Sequence, residues 1–489
     1  MRKLEVAGEA LLKKTTSRCP ICHEACPAEV WLLGTKQKTV WLRRHCMAHG
    51  SAEICISSDA RFYWLAQGKP GNQCCGGNAC SASDGAVRGS LGRNAGGLNW
   101  QGENQNSQSG GGNSESVEIG IPPVTTAQET LSTCLALIEI VNSCNLACPT
   151  CYADSPLSNA VDALPLVDLQ RRIQGVIDRK GRIEILQLSG GEPTLHPGFF
   201  ELLEWCYSHP KIDYVLLNTN GVRIARDDAF LDELGKSFRR GKFQLYLQFD
   251  GSQEAGQRVL RGADLRALRL RAIERCASAK IPITLAMTVT PDNLPHLWSA
   301  IETGLSWPNV RGISFQPMFG TGRVPGATGA SRAASGAIEA PSRVNTADII
   351  LASVEQSGGH LKFEDFTPLP CGDPNCATIG YLLKANGRTY SVSDFLDFGQ
   401  VQGFLRDKVR YRLEDLIQCG CESEALGRML REFEMTEENT FRLFIKPFMD
   451  SWTWDEDRID RCCTHVIRPD GVLDSFCRYY AAGGAVGLA

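Results

Sequence analysis

Six short apolar runs recur between residues 135 and 316 with amphipathic stretches between them, and this alternation constrains the fold more than any other feature of the chain. The runs are Leu135–Val141, Ile183–Leu188, Tyr214–Leu217, Phe243–Phe249, Ile283–Val289 and Gly312–Gln316, all of strand length. Between the first two, Leu166–Lys180 sets Leu166, Leu169, Ile173, Val176 and Ile177 at helical spacing on one face. Gly198–Ser208, Asp227–Arg239, Leu265–Ala279 and Leu294–Gly304 read as helices in the same way. Such an order predicts an α/β fold of parallel βα units, either an open doubly wound sheet or a partial barrel. In both, ligands belong at the carboxyl ends of the strands.

The second constraint is cysteine. The 489 residues include 21 Cys, most of them in short-range groups: Cys19/Cys22/Cys26, Cys74/Cys75/Cys80, Cys144/Cys148/Cys151, Cys371/Cys376, Cys419/Cys421 and Cys462/Cys463/Cys477. Met1–Lys14 lacks the apolar stretch of a secretory segment. The most apolar segment, Leu135–Val141, is seven residues with Glu139 inside it, against roughly 20 needed to span a bilayer. The expectation is a cytoplasmic protein without a transmembrane segment, whose grouped thiols hold zinc or iron–sulfur centres rather than disulfides. Cys206 and Cys276 fall within apolar helical patterns and read as core thiols. With 55 acidic against 51 basic residues, no basic field for nucleic acid is implied.

One group stands where a ligand belongs. Cys144-Asn-Leu-Ala-Cys148-Pro-Thr-Cys151 follows the first strand and offers three thiolates to a 4Fe–4S cube, leaving one iron free. A free iron can chelate the amino and carboxylate groups of S-adenosylmethionine, and an electron from the cluster then releases a 5′-deoxyadenosyl radical. A zinc knuckle with a fourth ligand from elsewhere is the alternative. Ser189-Gly190-Gly191-Glu192-Pro193 ends the second strand, with glycines that permit close backbone approach and a carboxylate suited to an ammonium group. Near the amino terminus, Cys19-Pro-Ile-Cys22 reads as a metal knuckle. With Cys46 it forms a mononuclear site whose fourth ligand is Cys55, His49 or one of the Cys74–Cys80 group, where Cys75 and Cys80 are candidates.

The Cys144–Cys151 loop followed by Gly190-Gly191-Glu192-Pro193 resembles the radical S-adenosylmethionine superfamily. The resemblance implies a partial (βα)6 barrel in which Cys144, Cys148 and Cys151 hold the catalytic cluster. It also implies that Gly190, Gly191, Glu192, Asn218, Asn220, Gln248 and Asp250 line the cofactor, with Glu192 on the methionine ammonium. Thr150 departs from the aromatic residue that many members carry before the third Cys; Tyr152 follows it instead. Cys19-Pro-Ile-Cys22, Cys46-x-x-His49-Gly50, Thr133–Glu139, Leu369-Pro370-Cys371 with Cys376, and Arg461-Cys462-Cys463-x-His465 through Phe476-Cys477 resemble one branch of that superfamily. This branch contains archaeal tetraether lipid synthase and dihydropterin C-methyltransferase-like proteins. It implies a rubredoxin-like iron or zinc site and auxiliary 4Fe–4S clusters, for which Cys371, Cys376, Cys462, Cys463 and Cys477 are the candidates. It further implies an external low-potential electron donor such as flavodoxin or ferredoxin.

These observations divide the chain into a Cys-rich metal-binding domain (1–80), a Gly/Ser/Asn-rich insertion expected to be disordered (81–130), a radical core (131–318), a linker (319–345) and a carboxy-terminal auxiliary-cluster domain (346–489). Gly320-Thr-Gly322-Arg323 reads as a hinge. The expected activity is hydrogen abstraction from an unactivated carbon, with coupling of lipid alkyl chains as the leading substrate reading. A C-methyltransferase acting on a pterin-like small molecule is one alternative, and a non-catalytic metal-binding scaffold is another. No catalytic residue is assigned beyond the cluster ligands.

Overall fold

The computed structural model describes residues 8–64, 133–158, 160–324, 340–369, 372–385, 388–394 and 439–481. The chain divides into two units, Cys75–Thr126 and a larger one formed by Met1–Cys74 with Ala127–Ala489, and the architecture below is that of the larger. The readings made for residues 81–130 and for Cys74, Cys75, Cys80, Cys371, Cys419 and Cys421 lie outside the described residues.

Residues 9–57 form a four-stranded antiparallel meander, β1 (Glu9–Arg18), β2 (Ala25–Leu33), β3 (Thr39–Cys46) and β4 (Gly50–Ser57), in that spatial order. Alternating side chains put Ala28, Val30, Val40, Leu42, Ala52 and Ile54 into a small core completed by Tyr63 and Trp452. Two side chains fasten this ribbon to residues 451–457. Arg44 donates to the carbonyls of Ser451 (2.6 Å) and Trp452, and Lys13 pairs with Asp455 and Asp457, both at 2.7 Å.

The alternation read from the sequence appears as β5 (Leu135–Val141), α1 (Leu166–Lys180), β6 (Ile183–Gly190), α2 (Phe199–Ser208), β7 (Ile212–Thr219), α3 (Val222–Arg226), α4 (Asp228–Ser237), β8 (Phe243–Gln248), α5 (Gln257–Arg261), α6 (Arg266–Ser278), β9 (Ile283–Val289), α7 (Leu297–Leu305) and β10 (Val310–Pro317). The six strands pair in parallel in the order of the chain. A doubly wound sheet reverses its strand order at a switch point. This one does not, so it is a partial (βα)6 barrel. Its outer face packs Ile138, Leu186, Leu188, Val215, Leu217, Leu245 and Leu285 against the apolar stripes of the helices, and Cys206 and Cys276 lie in that same core.

Beyond α8 (Thr346–Gln356) come β11 (Phe366–Pro368), β12 (Thr378–Ala385), β13 (Arg388–Ser391), β14 (Thr440–Ile445), α9 (Glu456–Asp460), β15 (Thr464–Ile467), β16 (Leu473–Ser475) and α10 (Phe476–Ala481). These strands extend both edges of the barrel sheet: β14 lies parallel to β10, and β15 lies parallel to β5. The carboxy-terminal cysteines are thereby brought beside the barrel opening.

Candidate active site

The loop after β5 carries Cys144, Cys148 and Cys151 over the carboxyl ends of the strands, and its backbone is tied from three sides. The Cys144 N–H donates to Pro156 O (2.9 Å), Thr150 N–H to Leu260 O (3.3 Å), and Cys151 exchanges two 2.9 Å bonds with Arg323. Gly322 makes the last contact possible: its φ is +64°, and a Cβ there would stand 2.3 Å from Cys151 O. Gly320–Arg323 is therefore a clamp on the cysteine loop, in place of the hinge expected for it.

All three thiols line a cavity of about 1090 Å³ that runs into the barrel. Cys144 and Cys148 are each 9% exposed. Burial pushes the Cys144 thiol up to about 11 and raises that of Cys148 as well, where Arg261 opposes it. Only a bound cation makes such buried thiols good anionic ligands. Among the described residues, one group of metal-type ligand atoms lies within 4.8 Å of one another, and it is not this one. Three thiols around an open cavity, spread too widely for a single ion, fit the corners of a larger iron–sulfur group.

Gly190 and Gly191 bring the end of β6 against the chain that leads into this loop. Gly191 N–H donates to Val141 O (2.7 Å) and Glu192 N–H to Ser143 O (3.1 Å); a Cβ on either glycine would meet those carbonyls at 2.2 and 2.0 Å. The close approach expected of the glycines is thus to the chain's own backbone. Glu192 is buried. Its Oε1 accepts from Thr194 N–H (3.2 Å) and from the Thr194 and Thr219 hydroxyls (both 2.7 Å), while Oε2 accepts only from Asn220 N–H (2.7 Å). The carboxylate sutures β6 to β7 and keeps acceptor capacity on Oε2.

Asn218 donates to Ser189 Oγ (3.1 Å), and Asn220 donates to Asn145 Oδ1 (2.7 Å) with Cys144 Sγ at 3.7 Å. Gln248 lines the cavity and accepts from Arg269. Asp250 behaves differently from its expected role as a cofactor contact. It is absent from the cavity wall, and its carboxylate is taken by Arg261 (2.6 and 2.9 Å) and by Thr288 N–H (3.0 Å). Arg261, 8% exposed, also reaches Thr150 O (3.4 Å) and so supports the cysteine loop from beneath. Sequence reasoning missed both arginines. Arg269 carried a usable signal, because it interrupts the apolar stripe Leu265/Ala272/Ile273/Cys276 of α6; Arg261 on short α5 carried none.

The ribbon contains the other cluster of donors. Cys22 Sγ lies 3.8 Å from Cys46 Sγ, and His49 Nδ1 lies 3.5 Å from Cys19 Sγ and 3.6 Å from Cys46 Sγ. An ion about 2.3 Å from sulfur and 2.0–2.1 Å from nitrogen in a tetrahedron needs S···S edges of roughly 3.8 Å and S···N edges of roughly 3.5 Å. The fit selects His49 as fourth donor. Cys55 is excluded because it pairs with Trp41 in the middle of β3–β4, away from the turns that carry the other ligands.

Cys376, Cys462 and Cys477 surround a small enclosed pocket with Lys446, while Cys463 lines the main cavity. Cys463 remains close enough to Cys376 and Cys462 to raise both thiols, so the four cysteines stay neighbours. Phe476, beside Cys477, packs at a tilt against Tyr152 of the cysteine loop, with ring centroids 5.3 Å apart. Tyr479 and Tyr480 donate to Glu139 at 3.3 and 2.7 Å, a contact that the sequence did not reveal.

Comparison with known proteins places names beside this geometry. Residues 138–303 match the family model of the radical SAM superfamily, and residues 11–58 match the HMPTM N-terminal zinc ribbon domain. The 7,8-dihydro-6-hydroxymethylpterin dimethyltransferase of Methanocaldococcus jannaschii is 26% identical over 407 residues, 71% of this chain and 76% of that protein. A mycofactocin maturase of Mycobacterium ulcerans is 30% identical over 162 residues, 32% of this chain and 41% of its own length. Among solved structures, Streptococcus suis SuiB bound to S-adenosylmethionine overlaps 38% of this chain and 40% of its own, with 18% identity and a TM-score of 0.31. A sequential parallel barrel with its cysteine loop, preceded by the ribbon, agrees with these matches: residues 138–303 carry a radical S-adenosylmethionine domain, in a chain whose relatives are named as enzymes.

Proposed function

We propose that this enzyme methylates carbon on a polar nitrogen heterocycle of the pterin class. The observation that carries this reading is the barrel interior. Gln187, Gln244, Gln316, Asn218 and Tyr246 all project into the cavity from β6, β7, β8 and β10. Four of the five already bond within the wall, but an alkyl chain would cover their spare donors and acceptors together with the unpartnered Gln187 carboxamide, which is unfavourable. A heterocycle with ring N–H and carbonyl groups can pair with them. The cavity, about 1090 Å³, has the size of a site for cofactor and small substrate together. The relative named as a dihydropterin dimethyltransferase supports the same choice over alkyl-chain coupling.

In this reading Cys144, Cys148 and Cys151 hold the 4Fe–4S cluster. Gly190, Gly191, Glu192, Asn218, Asn220 and Gln248 form the wall along S-adenosylmethionine, with Glu192 Oε2 available to its ammonium group. With both groups bound, reductive cleavage supplies a 5′-deoxyadenosyl radical able to take hydrogen from an unactivated carbon. Arg261, fixed by Asp250, keeps the loop in place and offsets thiolate charge beside Cys148. Cys19, Cys22, Cys46 and His49 hold one zinc or iron ion that stabilises the ribbon. Cys371, Cys376, Cys462, Cys463 and Cys477 supply the ligands of an auxiliary cluster. Electrons come from an external low-potential donor of the flavodoxin or ferredoxin type, in the cytoplasm. Among the described residues no helix is long and apolar enough to cross a membrane.

The test is anaerobic incubation of the reconstituted enzyme with S-adenosylmethionine, reductant and either 6-hydroxymethyl-7,8-dihydropterin or deuterated phospholipid. A pterin heavier by one methyl group is expected, with 5′-deoxyadenosine and methionine from one S-adenosylmethionine, S-adenosylhomocysteine from a second that gives the methyl, and both electrons from the reductant. Deuterium passing from lipid into 5′-deoxyadenosine while the pterin stays unchanged would replace this reading with alkyl-chain chemistry.

A further inference from the structure

One polar side chain on the cavity wall is left unused by the fold. Gln187, in the middle of β6, is 9% exposed and lines the cavity. It stands in register with Leu137 of β5 and Leu216 of β7, both also on the cavity wall, so its carboxamide sits between aliphatic neighbours. The other amides of the wall are engaged internally. Gln244 binds Thr284 and accepts from Tyr214, Gln316 donates to Tyr246 (2.8 Å), and Gln248 accepts from Arg269. The Gln187 carboxamide has no such partner among the described residues. Its polar atoms open on the cavity, so a partner comes from the cavity's occupant or from the water it displaces.

Its height in the barrel says which occupant it faces. Gln187 precedes Gly190 by three residues, about 10 Å deeper along the strand than the rim that begins there with Gly190, Gly191 and Glu192. It therefore lies below the cofactor wall, on the same inward-facing row of β6 as Ile185, which also lines the cavity. A carboxamide presents one carbonyl acceptor beside two N–H donors. Its complement is an adjacent N–H and C=O in one plane, which is the lactam edge of a pterin-type ring.

We propose that Gln187 is the specificity-determining residue of the barrel, reading the lactam edge of the heterocyclic substrate through one donated and one accepted hydrogen bond. The proposal rests on the heterocycle reading above and deepens it by naming the edge recognised. Other ring systems with the same edge would be bound in the same way. Alkyl chains would not.

The experiment measures binding to the reconstituted, S-adenosylmethionine-loaded full chain by pterin fluorescence. Wild type and Gln187→Leu are each titrated with 6-hydroxymethyl-7,8-dihydropterin and with its N3-methyl analogue, which lacks the lactam N–H. The leucine is close in size and meets aliphatic neighbours, so melting of the variant at or above the wild-type temperature certifies its fold. Wild type should bind the dihydropterin at least about tenfold more tightly than the variant does. The N3-methyl analogue keeps only the carbonyl half of the edge, so Gln187→Leu should weaken its binding by a smaller factor than it weakens that of the dihydropterin. The loss should fall on pterin affinity and leave S-adenosylmethionine affinity as it was. Equal pterin affinity in wild type and Gln187→Leu would overturn the contact and leave the heterocycle reading standing. A wild type that binds no dihydropterin would overturn both. A loss confined to S-adenosylmethionine would assign Gln187 to the cofactor and overturn the proposal.

Discussion

In the ribbon, four donor atoms converge on one point from two turns, Cys19–Cys22 between β1 and β2 and Cys46–His49 between β3 and β4, with edges of 3.5–3.8 Å. At the barrel mouth, three thiols ride on a single loop, too far apart for one ion and facing an open cavity. The ribbon site is closed by its own protein ligands, the pattern of a structural centre. The mouth site is kept open on one side, so its geometry depends on its neighbours. Pro156, Leu260 and Arg323 hold the loop backbone, Gly190 and Gly191 let β6 run beside it, and Arg261 props it from below. Stability is local in the first case and distributed in the second.

The largest effect should come from removing a distant support of the mouth. Arg261→Met leaves the Asp250 carboxylate buried without its bidentate partner, a loss of about 3–5 kcal/mol. It should appear as a lower denaturant midpoint and as reduced iron incorporation. Adding Asp250→Asn should recover part of the midpoint. If the single variant were as stable as wild type, the mouth would be as self-sufficient as the ribbon.

A smaller and more local effect is expected from Cys46→Ser. It removes one of four donors from the closed site, so metal analysis should show one ion fewer per chain and the ribbon should exchange amide hydrogens faster. The attachment of the ribbon through Arg44 and Lys13 does not pass through the ion, so 5′-deoxyadenosine formation should stay within a few-fold of wild type. A parallel collapse of cluster iron would show that the two centres are coupled.

The smallest effect concerns Glu139, whose carboxylate lies beneath Tyr479 and Tyr480. Burial raises its pKa, so the native state keeps a proton that the unfolded chain has already released. The stability it contributes is therefore present at acid pH and lost as pH rises. Glu139→Gln has no such charge to bury, and its melting temperature relative to wild type should improve from pH 5 to pH 8. A constant difference across that range would mean that Glu139 is ionised in the native state throughout.

How much of this could be read from the chain differs between the same two regions. The barrel strands were legible because each is apolar on both faces or alternates cleanly, and β5 and β9 match their expected limits. In the ribbon β1, half of whose residues are exposed, has no apolar alternation to announce it. The cysteine loop was legible from spacing alone, since ligand type and interval are local. His49 was not separable from Cys55, because the choice depends on the β3–β4 register, which sets Cys55 opposite Trp41. Likewise Asp250 was visible as a strand-end carboxylate, but its partner Arg261 comes from a helix eleven residues on and is known only from the packing.

The central claim is that the mouth loop holds the cluster that meets S-adenosylmethionine. It is tested most directly by electron paramagnetic resonance of the dithionite-reduced wild type and Cys148→Ala proteins, with and without S-adenosylmethionine. The account predicts a reduced 4Fe–4S signal in wild type that changes on adding S-adenosylmethionine, and its disappearance in Cys148→Ala together with 5′-deoxyadenosine formation, while the ribbon keeps its ion. A signal in Cys148→Ala that still responds to S-adenosylmethionine, or undiminished 5′-deoxyadenosine, would contradict it.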